Sequence, residues 1–132
     1  MKTLLLHISL FFLVGFTLNA YAFEGTGSEC GTVSTLQKPP LTKRIYSAFI
    51  MSIDGKSVVT GKTQFRLMPG KHVLKVHESG NSRRSKELEV EVEVGKKYHI
   101  GAKFIKEKRS SRFKEEYWQP VVWKTSEQEC NL

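Results

Sequence analysis

Three histidines follow residue 22, and imidazole is the side chain best suited to proton transfer or metal binding near neutral pH. His72 and His77 stand five residues apart in a segment with the alternating pattern of one strand. Because successive side chains of a strand point to opposite faces, these two cannot share a metal ion without help from elsewhere. His72 falls on the same face as Leu74 and Val76, which predicts a hydrogen-bonded histidine at the rim of the core.

The sequence carries no recognisable catalytic nucleophile. It lacks a GxSxG turn, and neither Cys30 nor Cys130 belongs to a CxxC pair or lies near a histidine. We therefore predict a protein that is not an enzyme, with no catalytic residue, no metal ligand and no cofactor. One alternative stays open: a hydrolase-type enzyme whose site is assembled from distant residues around His72 or His99, because spatial neighbours cannot be read from a sequence.

Four glutamates alternate with four aliphatic residues in the clearest strand pattern of the chain. They are Glu87, Glu89, Glu91 and Glu93, interleaved with Leu88, Val90, Val92 and Val94. Alternate carboxylates on a strand are about 7 Å apart, too far for neighbours to wrap one calcium ion. We expect a solvated face, partly neutralised by lysines of an adjacent strand, that discourages edge-to-edge aggregation.

Basic side chains concentrate in two polar segments that follow predicted strands. The candidate anion-binding residues are Arg83, Arg84, Lys86, Lys106, Lys108, Arg109, Arg112 and Lys114. The chain has a formal net charge of +8, which favours phospholipid head groups, acidic glycans or nucleic acid as partners. Arg109, Arg112 and Phe113 resemble a polyanion-binding loop with one aromatic ring, whereas the alternative is a pair of solvated loops without a ligand.

Tyr117, Trp118 and Trp123 are the candidates for a carbohydrate-stacking platform. Strand alternation places Tyr117 and Trp123 on one face and Trp118 on the other. At least one of the three rings is therefore expected in the core.

The first 22 residues are typical of a secretory signal that is cleaved after Ala22. A basic residue, Lys2, precedes an apolar run from Leu4 to Leu18, and alanines stand at 20 and 22. This run has 15 residues, whereas a membrane-spanning helix needs about 20. We therefore expect a periplasmic or secreted protein, with no transmembrane segment in the mature chain at 23–132.

Export bears on the two cysteines, which lie near the two ends of the mature chain. An exported protein with an even number of cysteines usually forms bridges, so we predict a disulfide between Cys30 and Cys130. Closing a loop of about 100 residues stabilises a fold by about 4–5 kcal/mol in the chain-entropy model. Export also favours a partner in the cell envelope over nucleic acid.

The mature chain begins with an extended lead-in at 23–42, rich in Gly, Ser, Thr and Pro. Residues 45–53 are apolar on both faces, which predicts a central strand. Asp54-Gly55 then predicts a tight type I′ hairpin turn, because both central residues of that turn need positive φ. Pro69-Gly70 predicts a further turn between two alternating strands.

The pattern beyond residue 86 continues as strands. If residues 87–94 and 98–104 form a direct hairpin, Val94 pairs with Tyr98 and Glu89 lies opposite Lys103. Residues 117–124 are expected to form the last strand, and Pro120 indicates a sheet edge or a bulge there. A polar tail at 125–132 carries Cys130.

About seven short strands, with turn signals every 8–12 residues or so and no helical period, predict an all-β fold. We expect a single antiparallel β-sandwich at 43–124 that follows the cleaved N-terminal signal helix at 1–22. No internal repeat and no second domain is indicated.

Two segments resemble the core of PEGA-type β-sandwich modules: Ile53-Asp54-Gly55-Lys56, and the stretch from Phe65 to Val76 that contains Pro69-Gly70-Lys71-His72. In that family a DG hairpin is followed by a strand, a PGxH turn and an alternating strand. The likeness covers about 46–104 and implies an Ig-like or PEGA-like sandwich, as in small uncharacterised secreted proteins of Gram-negative bacteria. It implies a non-catalytic envelope or surface module and transfers no active-site residue. This chain lacks the usual proline-bearing entry before the return strand, and it adds a Trp-containing last strand and a cysteine pair.

The functional expectation is a non-enzymatic, exported binding or structural module of the cell envelope. Its basic loops would contact anionic lipid or glycan, and its partner would be an envelope component or another protein. A protein that lends a sheet edge to a partner chain is a further alternative.

Overall fold

The described part of the chain is built from strands. Our computed structural model describes residues 29–80, 85–105 and 117–130. Within these ranges the only helical element is a 3-10 turn at Leu41–Lys43, so the predicted all-β class is confirmed. None of the helices in these ranges is long and apolar enough to cross a bilayer. The predicted signal at 1–22 lies outside the described residues.

The described residues contain nine strands rather than about seven, and they form two sheets. The strands are β1 (Gly31–Ser34), β2 (Ile45–Tyr46), β3 (Ala48–Ile53), β4 (Lys56–Ser57), β5 (Gln64–Leu67), β6 (Gly70–Glu78), β7 (Lys86–Val92), β8 (Lys96–Phe104) and β9 (Trp118–Glu127). Strand β1 therefore lies within the predicted lead-in, and β9 continues beyond Lys124 into the predicted tail.

The four-stranded sheet has the order β4-β3-β6-β7, and every pair in it is antiparallel. The β3–β4 hairpin turns at Asp54 and Gly55, whose φ angles are 50° and 80°. Positive φ at both central positions confirms the predicted type I′ turn. The glutamates of β7 are exposed, and Lys71 lies 3.4 Å from Glu89 across the sheet, so the predicted solvated and partly neutralised face is also confirmed.

The five-stranded sheet is organised around β8. Strand β9 pairs along one edge of β8, while β1 and β2 share its other edge, and β5 follows β1. Pairing between β1 and β8 is parallel, with Val33 opposite Tyr98. This sheet is therefore mixed rather than purely antiparallel. Among the described residues β9 pairs with β8 alone, which places Pro120 on an edge strand as predicted.

Two pairing predictions were wrong. The apolar segment at 45–53 is not one strand: it changes sheet at Ser47, so β2 joins the five-stranded sheet and β3 joins the four-stranded one. The predicted β7–β8 hairpin does not form either. The two strands belong to different sheets, and Glu89 lies opposite Val73 instead of Lys103. Alternation specifies which side chains point inward, but it does not specify which sheet receives a strand.

Both sheets contribute their inward faces to one hydrophobic core. The four-stranded sheet supplies Ala48, Ile50, Ile53, Leu74, Val76, Val90 and Val92, and the five-stranded sheet supplies Val33, Phe65, Leu67, Tyr98, Ile100, Ala102 and Trp118. The inward faces predicted for β5, β6 and β8 are confirmed by these positions. Val94 is an exception, because β7 ends at Val92 and leaves Val94 51% exposed.

The predicted disulfide between Cys30 and Cys130 is confirmed, with the Cα atoms 5.9 Å apart. The Cys30 carbonyl accepts a hydrogen bond of 2.9 Å from the Gly95 amide, so the bridge also rests on the β7–β8 turn. Gly31 follows directly, and a Cβ there would lie 2.3 Å from a methyl group of Val92. The bridge therefore lies beside the turn at which the chain passes from β7 in one sheet to β8 in the other.

Candidate binding end of the fold

The strands that flank the two predicted basic segments all begin or end at the same end of the fold. Strand β6 ends at Glu78 and β7 begins at Lys86, while β8 ends at Phe104 and β9 begins at Trp118. Phe104 lies opposite Trp118 in the sheet, and Lys86 contacts Trp118 from the other sheet. We call this region the aromatic end, made of Tyr46, Glu78, Lys86, Phe104, Tyr117 and Trp118.

Seven of the eight candidate anion-binding residues fall on stretches next to this end that lie outside the described residues. They are Arg83, Arg84, Lys106, Lys108, Arg109, Arg112 and Lys114. Lys86 is described, and its ammonium group donates a hydrogen bond of 2.5 Å to the Trp118 carbonyl. The same group lies 5.1 Å from the centre of the Trp118 ring, within the range of a cation–π contact. Lys86 thus connects the two sheets where both basic segments begin or end.

Glu78 is a buried carboxylate at the aromatic end and is only 4% exposed. One oxygen accepts a hydrogen bond of 2.7 Å from the Gly80 amide, and the other lies 3.5 Å from the Tyr117 hydroxyl. A buried polar group is costly unless it is hydrogen-bonded, so these contacts offset the cost of burying the Glu78 side chain. The sequence carries a signal for this residue, because alternation places Glu78 on the inward face of Leu74 and Val76, where a carboxylate is unusual.

Three aromatic rings at this end, those of Tyr46, Phe104 and Tyr117, contact one another in a row. Tyr46 lies 4.4 Å from Phe104, and Phe104 meets Tyr117 edge-on at 5.4 Å between ring centres. Trp118 is 1% exposed and Tyr117 is 9% exposed, which confirms that at least one predicted platform ring is in the core. Tyr117 and Trp118 therefore do not present a flat carbohydrate-stacking surface. The most exposed ring at the aromatic end is that of Tyr46.

His72 is held between two hydrogen-bond acceptors at the rim of the core, as predicted. Its Nδ1 lies 2.6 Å from the Asp54 carboxylate, and its Nε2 lies 2.7 Å from the Met68 carbonyl. The second carboxylate oxygen of Asp54 accepts a hydrogen bond of 2.8 Å from the Val73 amide. Both ring nitrogens are occupied, so this histidine–carboxylate pair fastens the Asp54-Gly55 turn to β6. It offers no free nitrogen to a substrate.

His99 lies on the outward face of β8 and is nevertheless buried. Its Nε2 lies 2.9 Å from the Ser126 hydroxyl, and its ring contacts Trp123 at 5.4 Å between centres. Burial lowers the pKa of His99 below its usual value near 6.5, and the positive charges of Lys97 and Lys124 lower it further. Sequence reasoning missed Ser126, because no local pattern connects residues 27 positions apart.

The His99–Ser126 contact lacks the third member of a nucleophilic site. Within the described ranges the Nδ1 of His99 has no hydrogen-bond partner, so no carboxylate orients the ring. The same ranges contain no group of three or more His, Cys, Asp or Glu side chains placed to hold a metal ion. His72 and His77 point to opposite faces of β6, as the sequence predicted. The hydrolase-type enzyme remains a hypothesis.

The outward face of the four-stranded sheet carries an open groove of about 490 Å³. Met51 and Val73 form its apolar part, and Lys75, His77 and Glu87 form its polar part. Among the described residues, the side chains that line this groove form no hydrogen-bonded group. The shape of the groove alone therefore does not indicate a ligand or a reaction.

Comparisons with protein-family models, with curated proteins and with solved structures found no match for this chain. The PEGA-like resemblance therefore stays a prediction.

Proposed function

We propose that this protein is a non-enzymatic, exported binding or structural module of the cell envelope. It contacts anionic groups of lipid or glycan through the basic segments next to the aromatic end. The contact between Lys86 and Trp118 carries the proposal, because it joins the last residue of one basic segment to the first strand residue after the other. Two basic segments that start from one place favour a single cationic surface over two unrelated loops.

The charge count supports an anionic partner. Segments 81–86 and 106–116 together hold eight basic side chains and three acidic ones, within a chain of net charge +8. Several basic side chains that act together attract phosphate or carboxylate groups more strongly than isolated surface lysines do. The rigid base formed by Glu78, Lys86 and the aromatic rings limits the entropy that is lost when such a surface binds.

The fold that goes with this function is proposed to be a single Ig-like or PEGA-like sandwich. The shared hydrophobic core of the two sheets supports it. The mature protein is proposed to begin at residue 23 and to reside in the periplasm or outside the cell, and the disulfide is consistent with an oxidising compartment.

Retention of the mature protein on two anionic supports tests the proposal. One is a phosphatidylglycerol vesicle and the other is heparin immobilised on a resin. Arg109→Glu combined with Arg112→Glu is expected to abolish retention on the support that binds the wild type. A matched control, Lys62→Glu with Lys71→Glu, reverses two exposed charges elsewhere and should retain most of the binding. Unchanged retention of the arginine variant, or no retention of the wild type on either support, would refute the proposal.

A further inference from the structure

The connection between β1 and β2, residues 35–44, exposes aliphatic side chains beside positive charges. Leu36 is 59% exposed and Leu41 is 64% exposed. Lys38, Lys43 and Arg44 are exposed in the same connection. No acidic residue occurs anywhere from 31 to 53. A single exposed leucine is common in soluble proteins, whereas two exposed leucines within six residues, with only basic charges near them in the sequence, are unusual.

The β1–β2 connection is fastened to the sheets at both ends. At its start the Thr35 amide donates a hydrogen bond of 2.8 Å to the Thr63 carbonyl. At its end the Arg44 carbonyl accepts a hydrogen bond of 2.9 Å from the Phe104 amide, which places Arg44 beside the aromatic end. Pro39, between the two leucines, is buried. The exposure of the leucines is therefore a property of an ordered loop and not of a frayed end.

The tip that presents Leu41 has a fixed backbone. Residues Leu41–Lys43 form a 3-10 turn, in which the Lys43 amide donates to Pro40 and the Arg44 amide donates to Leu41, at 3.0 and 2.9 Å. Arg44 adopts the left-handed conformation with φ of 58°, which is unfavourable for a residue other than glycine, asparagine or aspartate. The surrounding hydrogen bonds maintain this conformation. The backbone at Leu41 is therefore already ordered before a partner binds, which lowers the entropy cost of binding.

We propose that the β1–β2 connection docks on an anionic lipid bilayer, with Leu36 and Leu41 entering the interface and Lys38, Lys43 and Arg44 pairing with lipid phosphates. This inference rests on the proposed function and names its partner as lipid. A glycan offers anionic groups but no hydrocarbon, whereas a bilayer surface accepts aliphatic and basic side chains together. Tyr46, 37% exposed and next to this connection, suits the head-group level that tyrosine prefers.

Vesicle binding of the mature, disulfide-bonded protein tests this docking. Leu36→Ser and Leu41→Ser should each weaken binding to phosphatidylglycerol-containing vesicles by about tenfold, because each removes most of one leucine side chain from the interface. Val59→Ser is the matched control, since Val59 is 74% exposed but lies outside the connection. It should leave binding unchanged.

A depth measurement separates insertion from purely electrostatic contact. Leu41→Trp should show a blue-shifted emission and quenching by brominated lipid when anionic vesicles are added, while Val59→Trp should show neither. Trp118 and Trp123 are present in both variants, so the difference between the two reports on the new ring alone.

The outcomes distinguish this inference from the proposed function. If the arginine charge reversal abolishes vesicle binding but the leucine variants do not weaken it, the docking inference is wrong and the proposed function stands. Retention on heparin without vesicle binding leads to the same conclusion. If the leucine variants weaken vesicle binding and the arginine reversal does not, the docking inference stands and the proposed role of segments 81–86 and 106–116 fails. A dimer that Leu41→Ser dissociates would assign the surface to a second copy of the chain and overturn the docking inference.

Discussion

The contact between Asp54 and His72 gives a quantitative prediction, because one side chain combines three separable contributions. Asp54 occupies a left-handed turn position, accepts the Val73 amide and binds the His72 ring. Replacement by alanine removes all three. Both hydrogen bonds have the Asp54 carboxylate as acceptor, and a hydrogen bond to a charged group contributes about 1.5–3 kcal/mol where it is shielded from water. The Asp54 side chain is 34% exposed, so solvent screening reduces each of the two bonds to about 1 kcal/mol.

A series at residue 54 separates these contributions. Asp54→Gly keeps the left-handed backbone but loses both side-chain bonds, so we expect a loss of about 2 kcal/mol in the free energy of unfolding. Asp54→Ala adds the left-handed penalty of about 1 kcal/mol and should lose about 3 kcal/mol. Asp54→Asn tolerates the backbone, accepts the Val73 amide and can donate to His72, so its loss should stay below about 1 kcal/mol.

Urea unfolding of the disulfide-intact protein, followed by tryptophan fluorescence, measures the series. Trp118 is 1% exposed in the folded state and should report its exposure on unfolding. With a urea dependence of about 1.5 kcal/mol per molar, the alanine variant should unfold at about 2 M less urea than the wild type. A glycine variant as stable as the wild type would show that the two hydrogen bonds contribute nothing, and an asparagine variant as unstable as alanine would refute the proposed replacement contacts.

Two further predictions concern the chain ends and the outward face of β8. Replacing Cys30 and Cys130 by alanine should lower the free energy of unfolding by about 4–5 kcal/mol, measured by urea unfolding of the double variant; an unchanged midpoint would contradict the chain-entropy account of this bridge. The pKa of His99 is lower in the folded state than in the unfolded chain, where it is near 6.5, so the unfolded state binds more protons in the window below that value. The stability conferred by neutral His99 is thus complete above about pH 6.5 and declines as the pH falls below it, and the stability difference between pH 8 and pH 5 should be smaller in His99→Gln than in the wild type. Equal differences would show that His99 does not contribute to the acid sensitivity.

The sequence was sufficient for the parts of the fold that depend on neighbouring residues. Positive φ at Asp54 and Gly55, the inward faces of β5 and β6, and the exposed glutamates of β7 follow from turn chemistry and alternation alone. The disulfide was predicted from the even number of cysteines together with the expectation of export.

The sequence was insufficient to predict pairing and contacts between segments that are distant along the chain. The division of residues 45–53 between two sheets depends on a change of direction at Ser47 that alternation does not encode. The side chains that contact His72 and His99 could not be predicted for the same reason. Asp54 lies 18 residues from His72, and Ser126 lies 27 residues from His99. The Asp54-Gly55 turn already accounts for an aspartate at position 54, so the sequence gives no further sign that Asp54 also contacts His72.

The parallel pairing of β1 with β8 has a consequence for the order in which the chain can fold. Val33 pairs with Phe65 of β5 on one side and with Tyr98 of β8 on the other, so the second side of β1 stays unpaired until 65 further residues are available. The strands β3, β4, β6 and β7 find all their partners within 48–92, and their sheet can therefore form first. Until β8 is available, the second sheet lacks the strand to which β1, β2 and β9 pair, and an incompletely covered apolar face is prone to aggregation. The vulnerable interval therefore ends only when β8, at 96–104, is available to join β1 and β2 into one sheet.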